Sequence, residues 1–359
     1  MAFVRLAQFF CRWSAGLVQL STFSSMKTAL HVPLGISSNR KNALASALLL
    51  FATSCLAQSS EGPWLFAGFK NNGQNGVYFA ISEDGWHWKL INDGRPVIAP
   101  AQAGELMRDP FLQRAPNGGF RMVWTWSWRQ PAVAGYSESK DLLHWTPHRR
   151  LEVMANEPTA LNVWAPALYW DEAKRQWLIF WSSTIPGRFP QSQYDKNGLN
   201  HRIYATTTRD FRTFTPAVLF FDPGYNVIDA TLLPSDGSKA NRSYRLVFKD
   251  ERKEPEGKHI RMASGASMEG PWSDVTPAFT EPGSEGPAGF AMDHGWVVYY
   301  DHYQSPGQHY GSTFSRDLEH WREGKDMMEF PAGLRHGSFL KITRKELVRL
   351  QAYRDGGVQ

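Results

Sequence analysis

The sequence predicts an all-β protein, a five-bladed β-propeller, and three observations lead to this fold class. One short motif recurs five times, short aromatic or β-branched strands alternate with Gly, Pro, Asn and Asp turns, and convincing helical patterns are absent. The 359-residue chain, less a predicted leader of 57 residues, leaves about 60 residues for each repeat. That length suits a four-stranded propeller blade.

The recurring motif is a strand ending in a small residue, a polar turn that in four copies contains Asp, and a second strand that starts with an aromatic residue. Its five copies close on Trp88, Trp145, Phe214, Trp272 and Trp321. Propeller blades of four strands repeat at about 40 to 50 residues, and the spacing here is slightly longer. We expect the four tryptophans to pack between blades.

A second set of five motifs precedes apolar strands at intervals near the blade length. These are Arg108-Asp109-Pro110, Trp164-Ala165-Pro166, Ile228-Asp229-Ala230, Glu285-Gly286-Pro287 and Arg335-His336-Gly337. We expect them to open the innermost strands. The last motif lies too near the C-terminus for its blade to be completed there, whereas residues 64–91 supply outer strands without an inner one. The sequence therefore predicts a ring closed by N-terminal strands that complete the last blade.

Residues 1–57 are interpreted as a leader. Two basic residues, Arg40 and Lys41, precede an apolar run at residues 43–52 that is too short to span a bilayer and has the length of a signal-peptide core. The chain is therefore predicted to be exported, to the periplasm or the extracellular space.

The leader is divided further at Met26, which is a better candidate for the translation start than Met1. Residues 1–25 are then an extension of the gene assignment, residues 26–57 are the signal peptide, and residues 58–359 are a single catalytic propeller. Small residues before Cys55 leave a lipid anchor as an alternative, which would make the protein a lipoprotein.

The charge distribution argues against nucleic acid as a partner. The chain has 39 Lys and Arg against 34 Asp and Glu, but five of the basic residues and none of the acids lie in the leader, so the body is neutral. Binding to nucleic acid or an anionic membrane depends on concentrated positive charge. Both cysteines, Cys11 and Cys55, lie in the leader, which excludes a disulfide framework in the body. No later segment is long enough for a membrane span, and we expect a monomer.

Three carboxylates should meet in the predicted ring. Inner strands converge on the propeller axis, so the residues that open them surround one end of the central channel. There the chain places Asp109, Asp229 and Glu285, each in its own blade. Carboxylates that share a pocket shift each other's pKa values, so one can act as a base while another holds a proton.

The five motifs, in order, resemble glycoside hydrolase family 43, five-bladed propeller glycosidases that act on plant polysaccharides. The resemblance covers residues 64–343. It implies that Asp109 is the general base, Glu285 the general acid and Asp229 the residue that raises the pKa of Glu285 and orients it. It also implies inversion at the anomeric carbon, no required cofactor, and a water or calcium ion in the central channel near His336. No residue is identified as a certain metal ligand.

The substrate of such an enzyme is a carbohydrate, and five residues are candidates to bind it: Trp164, Arg108, His336, Trp124 and Lys249. Lys249 is equally consistent with a solvated turn. Trp164 is equally consistent with core packing, and so is Trp124. Ala167 departs from the family, many members of which carry an acidic residue directly after Trp-Ala-Pro. Glu281 is an alternative general acid, although Glu285 alone occupies the strand-opening position.

The expected activity is that of an exo-acting α-L-arabinofuranosidase. A β-D-galactosidase or β-D-xylosidase of the same fold would use the same carboxylates. A non-catalytic carbohydrate-binding propeller would lack one of them, and none is missing. A glycoside phosphorylase would need basic residues clustered for phosphate, and only Arg108, Lys249 and His336 are available.

Overall fold

The computed structural model describes residues 62–354, apart from residues 193, 236–242, 254–256 and 305–306. The predicted leader, residues 1–57, and the alternative lipid-anchor site at Cys55 lie outside the described residues. The described strands form five sheets of four antiparallel strands each. This confirms the predicted five-bladed β-propeller.

The first three strands in the chain are β1 (Trp64–Lys70), β2 (Val77–Ser82) and β3 (Lys89–Leu90). Blade 1 contains β4 (Arg108–Arg114), β5 (Phe120–Thr125), β6 (Ala134–Ser139) and β7 (Arg149–Leu151). Blade 2 contains β8 (Trp164–Asp171), β9 (Gln176–Ser183), β10 (Arg202–Thr208) and β11 (Val218–Phe221). Blade 3 contains β12 (Val227–Pro234), β13 (Tyr244–Asp250), β14 (His259–Gly265) and β15 (Trp272–Ser273). Blade 4 contains β16 (Ser284–Met292), β17 (Gly295–His302), β18 (His309–Ser315) and β19 (Trp321–Glu323).

Blade 5 combines the two ends of the described chain. Its inner strand is β20 (Leu334–Lys341), which pairs with β1 from Trp64 opposite Lys341 to Lys70 opposite Leu334. The sheet continues through β2 to β3 at its outer edge. The five inner strands β4, β8, β12, β16 and β20 contact one another in ring order.

Five hydrophobic clusters hold the ring together, one at each interface between neighbouring blades. Successive side chains of a strand point to opposite faces of its sheet, so one strand serves two interfaces. In β5, Met122 and Trp124 face blade 5, whereas Val123 faces blade 2. Each of the four tryptophans expected between blades packs against one of these clusters, at Trp88, Trp145, Trp272 and Trp321.

The recurring motif forms the turn between the third and fourth strands of a blade. In blade 1, Ser139 Oγ accepts hydrogen bonds from the backbone N–H groups of Asp141 (3.1 Å) and Leu142 (2.9 Å). Asp141 Oδ1 accepts from the N–H groups of Leu143 (3.0 Å) and His144 (2.9 Å). The same side-chain-to-backbone pattern occurs at Asp84, Asp210 and Asp317. The repeated Asp therefore satisfies backbone donors that the turn leaves without strand partners.

A helix follows the last strand, although the sequence was interpreted as lacking convincing helices. Helix α1 (Arg344–Ala352) begins with a capping box in which Thr343 Oγ1 accepts from the Glu346 N–H and the Glu346 side chain accepts from the Thr343 N–H. Leu347 and Leu350 are buried in the cluster between blades 5 and 1. In the described part of the chain, no helix has the length and apolar character needed to cross a membrane.

Candidate active site

The motifs that open the inner strands share one backbone irregularity. At each of them the pairing with the second strand shifts register in a β-bulge. The middle residue of each motif has a positive φ, namely Asp109 (52°), Ala165 (45°), Asp229 (55°), Gly286 (58°) and His336 (25°). Side-chain-bearing residues rarely adopt this conformation, and such strained positions cluster at functional sites. The bulge and the residue with positive φ thus lie at the same end of all five inner strands.

Asp109 lies at the start of β4 with 8% of its surface exposed. Thr125 Oγ1 donates a hydrogen bond of 2.6 Å to Asp109 Oδ2, and His336 Nδ1 lies 3.1 Å from Oδ1. Burial opposes ionisation of this carboxyl, but the charge of His336, with smaller contributions from Arg108 and Thr125, holds the pKa of Asp109 well below its usual range. Asp109 is therefore ionised near neutral pH, as a general base must be.

Asp229 lies in β12 and is 6% exposed. Its backbone N–H donates to Ser182 Oγ (3.0 Å), and its Oδ2 accepts from the N–H of Gly286 (3.1 Å). Burial raises the pKa of Asp229 to about 6, with the charge of Glu285 adding to the effect and that of His336 opposing it. This carboxyl thus exchanges its proton close to neutral pH.

Glu285 opens β16 and has a cation on each carboxylate oxygen. Lys249 Nζ lies 2.9 Å from Oε2, and Arg335 Nη2 donates to Oε1 at 2.8 Å. Arg335 is held in turn by Asp301, with 2.5 Å between Nε and Oδ2. Burial opposes ionisation, but Lys249 and Arg335 outweigh it, so the pKa of Glu285 is lowered. In this arrangement Glu285 is ionised, and Asp229 is the weaker acid of the two.

His336 interacts electrostatically with all three carboxylates: Asp109, Asp229 and Glu285. Burial opposes its protonation, but these negative charges raise the pKa of His336 to about 9. Gly286, from the motif of blade 4, lies against His336. A Cβ added to Gly286 would lie 2.4 Å from the imidazole. Only glycine fits this close approach. The absence of a side chain at Gly286 therefore leaves space for the imidazolium among the carboxylates.

The calcium ion implied by the family resemblance does not fit the residues present around His336. Calcium takes six to eight oxygen ligands, whereas Asp109 is paired with His336 and the two oxygens of Glu285 are paired with Lys249 and Arg335. Across residues 62–354 as described, no group of three or more His, Cys, Asp or Glu side chains is placed to hold a metal ion.

Sequence analysis did not select Thr125, Asp301 or Arg335. Antiparallel pairing places the end of each second strand beside the start of the inner strand. This rule could have identified Thr125 and Asp301 from the sequence. Thr125 pairs with Arg108 in register, and Asp301 pairs with Glu285. Arg335 is the first residue of the fifth motif, but only its neighbour His336 was selected.

The same strand ends join each blade to the next one. The links are Thr125 to the Ala165 N–H, Ser182 to the Asp229 N–H, Lys249 to Glu285, and Asp301 to Arg335. The motifs of blades 2 to 5 are thus fixed by the preceding blade as well as by their own. The carboxylates are therefore held relative to one another across the ring.

An aromatic rim lies beside Asp109. Trp164 Nε1 donates to the Trp128 carbonyl (3.0 Å), and the Trp164 ring lies 5.4 Å from the Trp128 ring and 4.7 Å from the ring of His201. Trp128 is 43% exposed, and the Arg108 guanidinium lies 4.2 Å from its ring. Asn72 Oδ1 accepts from both Trp128 Nε1 and Arg108 Nη1, each at 3.1 Å. Trp128, which sequence analysis did not select, presents the exposed aromatic face of this rim.

Trp124 is not a substrate-binding residue, and this prediction is wrong. Its side chain is fully buried in the cluster between blades 5 and 1, 4.9 Å from the ring of His148. Gly135 on β6 lies against its indole, so that an added Cβ would approach within 2.1 Å. Trp126 lies in the same cluster, so this face of the strand forms the interface between the blades.

Glu281, the alternative general acid, lies apart from these contacts. Its side chain is 46% exposed, and its Oε1 lies 3.2 Å from His302 Nε2. Glu285 instead has two cationic partners, Lys249, with 2% of its side chain exposed, and Arg335, with 17%. Lys249 is therefore part of the site rather than of a solvated turn.

Comparison with known proteins identifies the family of this chain. The model of a family described as "Probable glycosyl hydrolase domain", related to glycoside hydrolase family 43, matches residues 62–348. The chain belongs to this family. An α-L-arabinofuranosidase of Bifidobacterium longum is 28% identical over 251 residues, which cover 64% of this chain and 22% of that protein. The chain therefore spans about a fifth of the length of this family relative.

A solved structure of a family 43 protein shows the same fold. A mutant of the family 43 protein BlXynB from Bacillus licheniformis aligns with a TM-score of 0.50 and 11% identity, over 77% of this chain and 55% of that one. An α-L-arabinofuranosidase from Lactobacillus brevis aligns with a TM-score of 0.44 and 17% identity, over 60% of this chain and 72% of that one. At these identities the likeness concerns the fold alone.

Proposed function

We propose that this protein hydrolyses glycosidic bonds with inversion, using Asp109 as general base and Glu285 as general acid, with Asp229 tuning the protonation of Glu285. One observation carries the proposal: three carboxylates from blades 1, 3 and 4 face a single buried imidazolium, that of His336. Membership of a glycosyl hydrolase family supports it.

The proposal gives each of the three carboxyls a separate task. Asp109, whose pKa is lowered, is ready to take a proton from a water that attacks the anomeric carbon. Glu285 supplies the proton to the leaving oxygen on the opposite side of the sugar. Asp229 is buried and bound to the N–H of Gly286, the residue after Glu285, so it fixes the backbone from which the acid projects. Its negative charge, when present, favours the protonated form of Glu285.

Inversion makes a specific geometric demand. The acid and base carboxyls of an inverting glycosidase lie roughly 6.5 to 9.5 Å apart, which leaves room for the water, whereas retaining enzymes place them about 5 to 5.5 Å apart. We therefore expect the sugar to lie between Asp109 on blade 1 and Glu285 on blade 4. The product should be released with the anomeric configuration opposite to that of the substrate.

For the substrate we propose a non-reducing terminal α-L-arabinofuranosyl residue, released in exo mode. The named activity of the Bifidobacterium longum relative supports this choice. The exposed face of Trp128 beside Arg108 supports a carbohydrate in general, because aromatic faces pack on sugar rings while charged groups bind their hydroxyls. A β-D-galactoside or β-D-xyloside would meet the same carboxylates.

A screen of p-nitrophenyl α-L-arabinofuranoside, β-D-xyloside and β-D-galactoside tests the proposal, with Asp109→Asn as the blank. Hydrolysis of one substrate that disappears in the blank would establish the activity and the sugar. Proton NMR of the first-formed sugar would then report its anomeric configuration. No release from these substrates or from arabinan, xylan and galactan digests would contradict the proposal and leave a carbohydrate-binding propeller.

We also propose that the protein acts after export. The apolar run at residues 43–52 and the small residue Ala57 support it, as signal-peptide features. Mass analysis of protein secreted by a bacterial host should find an N-terminus at Gln58. A lipid-modified N-terminus at Cys55 would replace this with the anchored alternative.

A further inference from the structure

A general acid must carry a proton on an oxygen that can reach the leaving group, and Glu285 has no such oxygen here. Lys249 lies against Oε2, and Arg335 donates to Oε1. Both partners are donors only, so neither can accept a hydrogen bond from a protonated carboxyl. If Glu285 is the acid of the proposed function, one of the two cations has to move away.

Arg335 is fixed in its place. Its Nε bonds Asp301 at 2.5 Å while Nη2 bonds Glu285, so the two ends of the guanidinium fork are both used. Asp301 is 1% exposed, and Arg335 is the cation hydrogen-bonded to it. Moving Arg335 would leave a buried carboxylate without its cation, which is costly.

Lys249 has a second carboxylate within reach. Its Nζ lies 2.9 Å from Glu285 Oε2 and 2.9 Å from Glu251 Oε2. The ammonium has three donors and a flexible stem, and the ring of Tyr303 lies 4.4 Å from Nζ. A small shift of the ammonium toward Glu251 therefore keeps its charge paired and releases Glu285.

We propose that Lys249 is a positioning residue that controls when Glu285 can be protonated. In the free protein Lys249 is shared between Glu285 and Glu251. When a glycosidic oxygen enters the site, Lys249 transfers to Glu251, and Glu285 Oε2 takes a proton from solvent and passes it to the leaving oxygen. This inference rests on the proposed function, in which Glu285 is the acid.

The charged surroundings allow this transfer. The titratable and charged groups that face Glu285 or Lys249 are Asp229 on β12, Glu251 after β13, Asp301 on β17, Tyr303 after β17, and Arg335 and His336 on β20. Lys258 pairs with Glu251 Oε1 and leaves Oε2 for Lys249. Burial opposes the charge on Lys249, but Glu285 and Glu251 raise its pKa well above the usual value, so it remains a cation throughout the working range.

Two substitutions should move the alkaline limb of the pH–activity profile in opposite directions. Lys249→Gln removes a cation from Glu285, so the limb of kcat/KM, which reports the free enzyme, should move up by about one pH unit or more. The limb of kcat should move less, because Lys249 has already left Glu285 in the substrate complex. Glu251→Gln removes the second acceptor, so the limb should move down and kcat should fall.

Lys174→Gln is the matched control, because Lys174 is half exposed and pairs with Glu269 outside the site. A loss of activity at all pH values with unmoved limbs would overturn the inference in favour of a structural role. A raised KM with unmoved limbs would overturn it in favour of a direct sugar contact. Glu251→Gln can be replaced as a test if it fails to fold. Lys249→Met removes the same positive charge as Lys249→Gln, so it has to reproduce the upward shift of the alkaline limb.

A second readout separates this inference from the proposed function. Carboxyl-13C glutamate labelling, with the Glu285 resonance assigned by its loss in Glu285→Gln, follows the titration of this group without any substrate. Lys249→Gln should raise its midpoint, and an unchanged midpoint would overturn the inference. Absence of hydrolysis by the unmodified protein would contradict the proposed function while this titration still reports on Lys249.

Discussion

His336 Nδ1 lies 3.1 Å from Asp109 Oδ1, and this buried pair joins the last inner strand of the ring to the first. Blade 5 and blade 1 are also joined by a hydrophobic cluster and by the hydrogen bonds of Ser338 with Leu112 and Pro110. The same contact thus lowers the pKa of the proposed base and closes the ring. Stability and catalysis should therefore respond to the same proton.

Stability should fall between about pH 6.5 and about pH 9 because of His336. Its folded pKa is raised from 6.5 to about 9, so its contribution is complete below the unfolded value and is lost as pH rises through the folded one. His336→Asn should remove this dependence, because Asn does not titrate. Asn also tolerates the positive φ at this position. Thermal unfolding of both proteins across this range is the measurement. An equally steep fall in the variant would assign the effect to another group.

Asp109→Asn should lower kcat by about 10² to 10⁴, as expected when a positioned base is removed. Asn has the same shape, accepts from Thr125 and tolerates the positive φ of 52°. KM should therefore change little, whereas the unfolding midpoint should fall, because His336 loses the carboxylate that pairs with it. Steady-state kinetics on the substrate found by the screen will test this. Activity near that of the unmodified protein would remove Asp109 from the base role.

Glu285→Gln should cost far more activity on natural oligosaccharides than on nitrophenyl glycosides. A nitrophenolate leaves without a proton, whereas a sugar alcohol needs one from the acid. Glu281→Gln is the matched control, because Glu281 is nearly half exposed and contacts His302 instead. Comparing kcat on both substrate types for both variants decides between the two glutamates. The assignment reverses if Glu281→Gln shows the leaving-group dependence.

Trp128→Ala should raise KM by up to about tenfold with little change in kcat, since an aromatic contact is worth about 0.5 to 1.5 kcal/mol. The side chain is 43% exposed, so its loss should leave the unfolding midpoint nearly unchanged. Trp128→Phe keeps a ring and should restore most of the binding. A binding assay with a non-hydrolysed oligosaccharide on the Asp109→Asn background measures this directly. Equal affinity of the Ala variant would show that the sugar does not use this face.

The fold was accessible from sequence because each motif reflects a local requirement that recurs in every blade. The Asp of the turn, at Asp84, Asp141, Asp210 and Asp317, caps backbone donors within a few residues, and such a pattern is visible in one dimension. The inner-strand motifs mark bulges, which is why Asp109, Asp229 and Glu285 could be placed in one ring.

The site's electrostatics could not be obtained in this way. The contact between Lys249 and Glu285 joins residues 36 positions apart, and that between Arg335 and Glu285 joins residues 50 apart, so both depend on how neighbouring blades pack. Helix α1 is a different case. The capping box of Thr343 and Glu346 is present in the sequence, but nine residues after a β-rich chain did not stand out as a helix.

The strand that closes the ring, β20, follows the other four inner strands in the chain. Arg335 and His336 leave the ribosome after Asp109, Asp229 and Glu285, so a nascent chain carries the acidic cluster before two of the cations that neutralise it exist. Repulsion among those carboxylates then opposes premature assembly of four blades without the fifth. A polypeptide ending before residue 334 should accordingly be a loose, protease-sensitive precursor.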